Sequence, residues 1–600
     1  MGLLQKAVET YHAHQKYVGE SREKHETLAP VCHIVTRAEL EITLDETGCF
    51  QSARAVDKTE PKILIPVTQD SGGRTSAPCA HPLCDQLVYL APYEEKKHRL
   101  YVEQLENWAA SPYNHPFLRP ILQYVKDGTI LEDLARSGVI QLTKQGKPEK
   151  EKALVRWRVV GMEGEEAACW KNQGLLRCFA GWCQNAQADN QPVFDMISGE
   201  IAPAAKQHPK GIVPINGNAK LISANDSSGF TYRGRFTDET QAATVSYLSS
   251  QKAHAALRWL VAEQGVPYGG RTFLCWNPQG TELPSPVSAL RRRSKTPLIK
   301  PSEYREDLLH TLNGWKSELP EDKDGVVIAA FDAATTGRLS LTYYNELKGS
   351  DFLQRLHDWD TWCCWPHRFH GIEAPSLFQI VNMAFGTLQN GKFETKDVVL
   401  REQIQRMLSC RVDKVRFPVD VERALVNRAS RLMLYGDDKK DYYLRSELLF
   451  TVCAVIRKYR YDHKKEEWDM SLEAEKRNRS YQYGRLLAVL EKVERDTYGS
   501  DEAREPNAIR MQSVYCQRPL FTAGTIEKQL ERAYFPRLKP GSRVYYKNLI
   551  GSILEVIHGF PEGEWNRPLE DTYLMGYYLQ RSELYQRTKK DEATTEQEEN

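Results

Sequence analysis

The sequence predicts an α+β chain, with a mixed α/β amino-terminal portion over residues 1–374 that displays irregular loops, followed by an all-helical bundle over residues 375–587. Three observations carry that prediction. Short β-type runs alternate with turn-rich stretches between Cys32 and Leu90. Strand-like and helical segments then intermix, and from Pro375 to Arg587 almost every segment has helical spacing and helix-forming composition. At 600 residues the chain is well beyond the size one hydrophobic core serves, so two to four domains are expected.

Taken in order, Leu3, Leu4, Ala7, Val8 and Tyr11 share one face of an amphipathic first helix. The runs "VCHIVT", "LEITLD", "ILIPVT" and "QLVYL" predict strands. Helical spacing takes over from Glu94 to about Val139, "EKALVRWRVVG" returns to a strand, and "EEAACWKNQGLLRCFAGWCQ" reads as a helix. Between Asn190 and Arg235, Gly, Pro, Asn and Ser are frequent, which predicts loops held on a scaffold. A helix over about 239–263 and a strand in "RTFLCWNPQG" follow. The stretch 281–301 joins Pro and Ser to Arg291, Arg292 and Arg293 and predicts a mobile basic linker or lid. "GVVIAAFDAATTGRLSLTYYNEL" predicts two strands around a turn, and "LRSELLFTVCAVIRKYRYDH" and "SYQYGRLLAVLEKVERDTYG" exemplify the helical half. The acidic tail, 588–600, has no apolar residue larger than Ala and predicts disorder.

Lys and Arg total 81 against 80 Asp and Glu, a formal charge of +1, so a nucleic-acid partner would show only in local clustering. Thirteen Cys without a C-x-x-C pair argue against a disulfide framework and a zinc ribbon, and favour a reducing compartment. The start lacks the pattern of a signal peptide and no window suits a membrane span, so a soluble, cytoplasmic chain is expected.

The common hydrolase and nucleotide-binding signatures are missing. "CAHPLC" and "CCWPHRFH" offer thiols and imidazoles without the paired spacing of structural zinc sites, so no metal is expected. Asp332 in "FDAATTGRLS" is more readily a hairpin-turn residue than a metal ligand, while Arg338 suits a backbone contact. In "QDSGGRTS", Gln69, Gly72, Gly73, Arg74, Thr75 and Ser76 could converge on phosphate oxygens or a groove edge; a solvated turn is the other reading. In the loop-rich zone, Asn216, Lys220, Asn225 and Ser227 are of the type that reads base edges, and Tyr232 and Arg233 could stack and pair with phosphate. The helical half interleaves aromatics with basic residues around Arg457, Lys458 and Arg460, around Arg477 and Arg479, and around Arg537 and Lys539. That habit suits a groove tracking a single strand, as do Arg291 to Arg293, with solvated helix faces as the alternative.

The series "RTSAPCAHPLCDQLVYL", "MISGEIAPAAKQHPKGI", "AKLISANDSSGFTYRGR", "TFLCWNP", "FDAATTGRLSLTYYNEL", "PSLFQIVNMAFG" and "YLMGYYLQRSELY" resembles the large subunit of the type I-C CRISPR Cascade complex, the Csd family, in order and spacing along nearly the whole chain. Two departures stand out: the loop reads Ser223-Ala224-Asn225 and then Thr231-Tyr232-Arg233-Gly234, and Asp195 takes the place of a cysteine. The resemblance implies a non-catalytic, cofactor-free prokaryotic subunit that reads the protospacer-adjacent motif (PAM) on double-stranded target DNA. It would help open the duplex and stabilise the R-loop, with Arg74, Thr75, Lys220 and Asn225 at the motif. The implied partners are the crRNA-bearing backbone subunits, the crRNA-processing subunit, a helical small subunit and the helicase-nuclease. It also implies an internal start in the reading frame, for which Met470 is the first candidate, with 470–600 as a separately made small-subunit segment; Met511 is the weaker candidate, and an ordinary helix methionine is the other reading of Met470. The alternatives are a metal-dependent nuclease built on Asp332 and the cluster near His367, and a structural scaffold.

Overall fold

In the first unit, Leu40–Asp45 buries Leu40, Ile42 and Leu44 and forms the centre of a three-stranded sheet. It runs antiparallel to Phe50–Ala55 and parallel to Val155–Val160, with Leu40 opposite Val155. The helices Glu95–Ala109 and Leu118–Asp127 supply Tyr101, Leu105, Trp108, Ile121 and Tyr124 to the core that also takes Trp157. The structure is a computed structural model describing residues 2–22, 25–74, 77–188, 190–223, 244–291, 297–319, 325–333, 335–435, 439–499 and 504–598, with backbone alone for 439–442 and 587–598.

A second sheet places Ser340–Lys348, Gly325–Asp332, Arg271–Trp276 and Val266–Tyr268 in that order. Leu3–Ala13 and Tyr247–Gln264 pack with it, and small residues at Ala7, Ala253 and Ala256 let the helices approach Leu274, Trp276, Val327 and Ala329. The Tyr247–Gln264 helix is capped by Ser246, whose hydroxyl accepts the Ser249 N–H at 3.2 Å. Buried Asp195 accepts from the hydroxyls of Ser198, Ser246 and Ser249 and from the Ile197 N–H. Burial alone would raise its carboxyl; these donors outweigh it and hold the group below its ordinary value.

Packing draws the boundary between the two compact units earlier than composition does. They are Met1–Glu282 with Asp324–Leu347, and Leu283–Lys323 with Lys348–Asn600. Residues 348–374 join the second unit because Gly349–Trp362 packs on the helices Pro301–Glu318 and Asp397–Val412. The segment taken as a basic linker is anchored there. Leu290 N–H donates to Asp360 at 2.6 Å, Ile372 N–H to the Leu298 carbonyl at 2.7 Å, and Arg411 to the carbonyls of Pro286 and Ser288; residues 292–296 lie outside the described residues.

The helical prediction needs one correction in the second unit. Thr387–Gln389 and Lys392–Glu394 form a hairpin, with Asn390 and Gly391 at φ of 51° and 76°, the two positive values an Asn-Gly turn requires. In the first unit "QLVYL" is a helical turn, Leu87–Leu90, and the predicted helix over 165–184 begins only at Gln173. The acidic tail carries helical backbone as far as Glu598, because Ala, Gln, Glu and Lys extend a packed helix without needing an apolar face. All thirteen cysteines are free thiols, and no helix among the described residues is long and apolar enough to cross a membrane.

The helices Arg479–Arg495 and Thr572–Glu598 make the most extensive helix–helix contact among the described residues. Beside it Glu491, 1% exposed, takes the guanidinium groups of Arg495 at 2.8 Å and Arg581 at 3.2 Å and the hydroxyl of Tyr577. Burial would raise its carboxyl, but the charges of Arg581 and Arg495 win and hold it at about 2, below its ordinary 4.5. A depressed carboxyl stabilises the fold above the unfolded value and loses that contribution as pH falls toward the folded one. Its contribution is on the order of 3 kcal/mol, lost between about pH 5 and about pH 2. Urea unfolding should therefore show a shallower acid decline for Glu491→Gln than for the parent, from a lower stability at neutral pH. Parallel declines would contradict this.

Candidate nucleic-acid interface

The short helix Gln69–Gly73 begins at Thr68, whose hydroxyl accepts the Ser71 N–H while the Ser71 hydroxyl accepts the Thr68 N–H. Gln69 donates to the Gln207 carbonyl at 2.9 Å. At Gly73 the chain comes close to its neighbours: a Cβ there would push the flexible end of the Gln207 side chain aside and stand 3.7 Å from Lys220 Nζ. Lys220 in turn bridges the sheet, its N–H donating to the Gly337 carbonyl at 3.1 Å and its carbonyl accepting the Leu339 N–H at 2.9 Å. Asn216, in the left-handed region at φ 55°, donates from Nδ2 to the Ala333 carbonyl at 2.8 Å. These contacts bring Gly73, Gln207, Asn216, Lys220 and Arg338 to one face.

Lys210 completes the cluster from below. Its Nζ donates to the Arg74 carbonyl at 2.7 Å and to Asn218 at 3.0 Å, and its own carbonyl accepts from Arg258 Nε at 3.0 Å. Among the described residues neither lysine nor Arg258 forms an ion pair. Burial lowers Lys210 first, and the charges of Lys220, Arg74 and Arg258 lower it further; burial lowers Lys220 and takes Arg258 to about 10. The nearby imidazoles report the same field: His208 falls to about 4 through burial and then Lys220, and His81 to about 3 through burial, Arg74 and Lys210. Among the described residues Lys210, Lys220 and Arg258 have no carboxylate partner, which favours an anion, and phosphate oxygens supply one.

Several expected contacts point elsewhere. Arg74 turns inward: its guanidinium pairs with Asp85 at 2.6 and 2.9 Å, donates to the Cys79 carbonyl at 2.7 Å and lies over Tyr89. Arg291 pairs with Asp307. Arg457, 1% exposed, donates to the carbonyls of Trp468 and Thr361. Lys458 pairs with Asp462, Arg460 with Glu466, Glu570 and Asp571, and Arg479 holds the carbonyls of Arg567 and Pro568. Each of these cations has a partner within its own unit of the fold. Arg477, Arg537 and Lys539 are exposed. Thr75, Ser76, Asn225, Ser227, Tyr232, Arg233, Arg292 and Arg293 lie outside the described residues. Met470 is buried, with the Cys364 thiol 3.5 Å from its sulfur.

Asp332 pairs with Arg271 at 3.0 Å in the first unit, and His367 holds Glu447 at 2.6 Å in the second. Among the described residues no three His, Cys, Asp or Glu side chains stand where they could share a metal ion. Lys210 and Gln207 were not singled out from sequence, although "KQHPKG" sets two lysines around a His-Pro turn, a composition that could have flagged them.

Fold and site together describe an α+β chain that carries Lys210 and Lys220, without an ion pair among the described residues, on loops steadied by a sheet and by the helix residue Arg258. Residues 10–585 match the model of the CRISPR-associated protein family Cas_Csd1, and the chain belongs to that family. No curated protein matches it.

Proposed function

We propose that the chain is the non-catalytic, DNA-binding large subunit of a crRNA-guided type I-C Cascade complex. In this role it recognises the PAM on duplex target DNA, assists strand separation, stabilises the R-loop and recruits the helicase-nuclease. It works beside crRNA-bearing backbone subunits, the crRNA-processing subunit and a helical small subunit. Base pairing then reads the target while protein reads only the short flank. The observation that supports this reading is the Lys210–Lys220–Arg258 cluster, cations beside the turn at Gly73 with no ion pair among the described residues.

The test is binding of the reconstituted complex to duplexes with and without the motif across a salt series. Each phosphate neutralised contributes about 0.9 to the slope of log affinity against log salt. Lys210→Gln with Lys220→Gln should weaken binding at least about tenfold and flatten the slope by roughly 1.8. An unchanged slope would remove both lysines from the interface, and metal-dependent cleavage by the purified chain would overturn the non-catalytic reading.

A further inference from the structure

We propose that a cationic cavity in the second unit binds a nucleoside phosphate, free or as the phosphorylated end of a strand. The cavity, about 370 Å³, lies among the ends of Gly349–Trp362, Asp397–Val412 and Lys439–Lys464. Its size suits one nucleotide and excludes a duplex.

Charge is the first argument. Arg355, Arg411, Lys414, Arg416, Lys458 and Lys465 line the cavity against two carboxylates, Asp358 and Asp462. Lys458 is neutralised by Asp462 at 2.6 Å and Arg411 by Asp360 at 2.9 Å. Lys414, Arg416 and Lys465 are exposed and form no ion pair among the described residues. Lys414 does act on Asp358, whose carboxyl His357 holds down first and Lys414 last. The remaining excess is positive.

Donors without acceptors are the second argument. Trp359, 2% exposed, lines the cavity with its indole N–H unpaired, and the Nε–H of Arg355 is likewise buried without a partner although its Nη1 serves the Val412 carbonyl. Both groups can only donate, and a buried donor left unmade is costly, so a ligand rich in acceptors fits here, and the positive excess of the rim favours one that is anionic.

The third argument is the wall. Trp362 and Tyr461 stack at 3.9 Å between ring centroids with 10° between planes, and Arg457 and Lys465 each lie 5.2 Å from the centroid of Trp362 and Tyr461 respectively, so an aromatic pair flanked by cations borders the rim. Phosphate on the rim and a base against the rings is the ligand chemistry this arrangement recognises. None of these residues belongs to the interface proposed in the first unit, so the inference stands independently of that function.

Isothermal titration of the full chain with adenosine monophosphate, inorganic phosphate, adenosine, and a hexanucleotide carrying either a 5′-phosphate or a 5′-hydroxyl tests it. Adenosine monophosphate should bind more tightly than phosphate or adenosine. Tight binding of the 5′-phosphorylated strand over its 5′-hydroxyl form would identify a strand end as the source; preference for the mononucleotide would identify the free nucleotide. Arg416→Gln with Lys465→Gln, both exposed positions, should weaken binding at least tenfold. Absence of binding at millimolar concentrations, equal affinity for phosphate alone, or an unaffected Arg416/Lys465 double variant would overturn the proposal.

Discussion

Replacing Gly484 with alanine should cost the helical unit about 3 kcal/mol or more, the upper end of what overpacking does. At this position Arg479–Arg495 crosses Thr572–Glu598 backbone to backbone. A Cβ on Gly484 would lie 2.7 Å from the Tyr573 carbonyl carbon and 2.8 Å from Tyr577 N, with the Tyr573 oxygen nearer still. The partner position is equally crowded, since a Cβ on Gly576 would lie 2.9 Å from the Tyr481 carbonyl carbon and 3.2 Å from its Cα. Main-chain atoms cannot rotate away as a side chain can, so relief requires the helices to separate. Separation would pull Tyr577 and Arg581 from Glu491 and strip contacts from Tyr481 and Tyr573, both buried. Because both glycines serve one crossing, the double alanine variant should cost less than the sum of the single ones. Hydrogen exchange across residues 479–495 provides the readout. Protection equal to that of the parent would show that the helices do not meet through these glycines.

Arg74→Ala should destabilise the first unit by about 3 to 5 kcal/mol, because it leaves a buried carboxylate alone. Asp85 is fully buried, and the N–H groups of His81 and Gln86 also donate to it, at 2.7 Å. Burial already pushes its carboxyl above the ordinary value, and Arg74 is the cation that opposes this. Asp85→Asn in the same chain should recover part of the loss, whereas Arg74→Lys should recover little, since an ammonium cannot reproduce a two-pronged contact. Denaturant unfolding checks all three. A variant that unfolds like the parent yet loses DNA affinity would return Arg74 to the interface as a phosphate contact.

Arg74 also shows where the sequence stops being informative. Strands whose apolar residues are mostly buried were legible: Leu40–Asp45, Arg271–Trp276 and Gly325–Asp332 fall where their residues placed them. Phe50–Ala55 was not, because an edge strand with polar, exposed positions carries little hydrophobic alternation. "QLVYL" was mistyped because a short apolar run fits a buried helical turn as well as a strand. The site divides the same way. Gly73 and Lys220, which the structure brings close together, stood out in the sequence through loop composition, since glycine and polar residues concentrate where backbone must come close. Arg74, Arg457 and Arg460 looked free because nothing local reveals a partner such as Asp85, the Trp468 carbonyl or Asp571. A basic residue's availability depends on tertiary pairing, and periodicity is blind to it.

The rung that joins Lys220 to the chain beside Arg338 has a consequence for how such a surface can change. Both positions take their places from main-chain hydrogen bonds, Lys220 N–H to Gly337 and Leu339 N–H to Lys220, so location and chemistry are separable. Side chains at 220 and 338 can be exchanged while the frame that presents them persists. Under the proposed function, new ligand preferences are therefore reachable one substitution at a time, each a change of lettering on a fixed ruler.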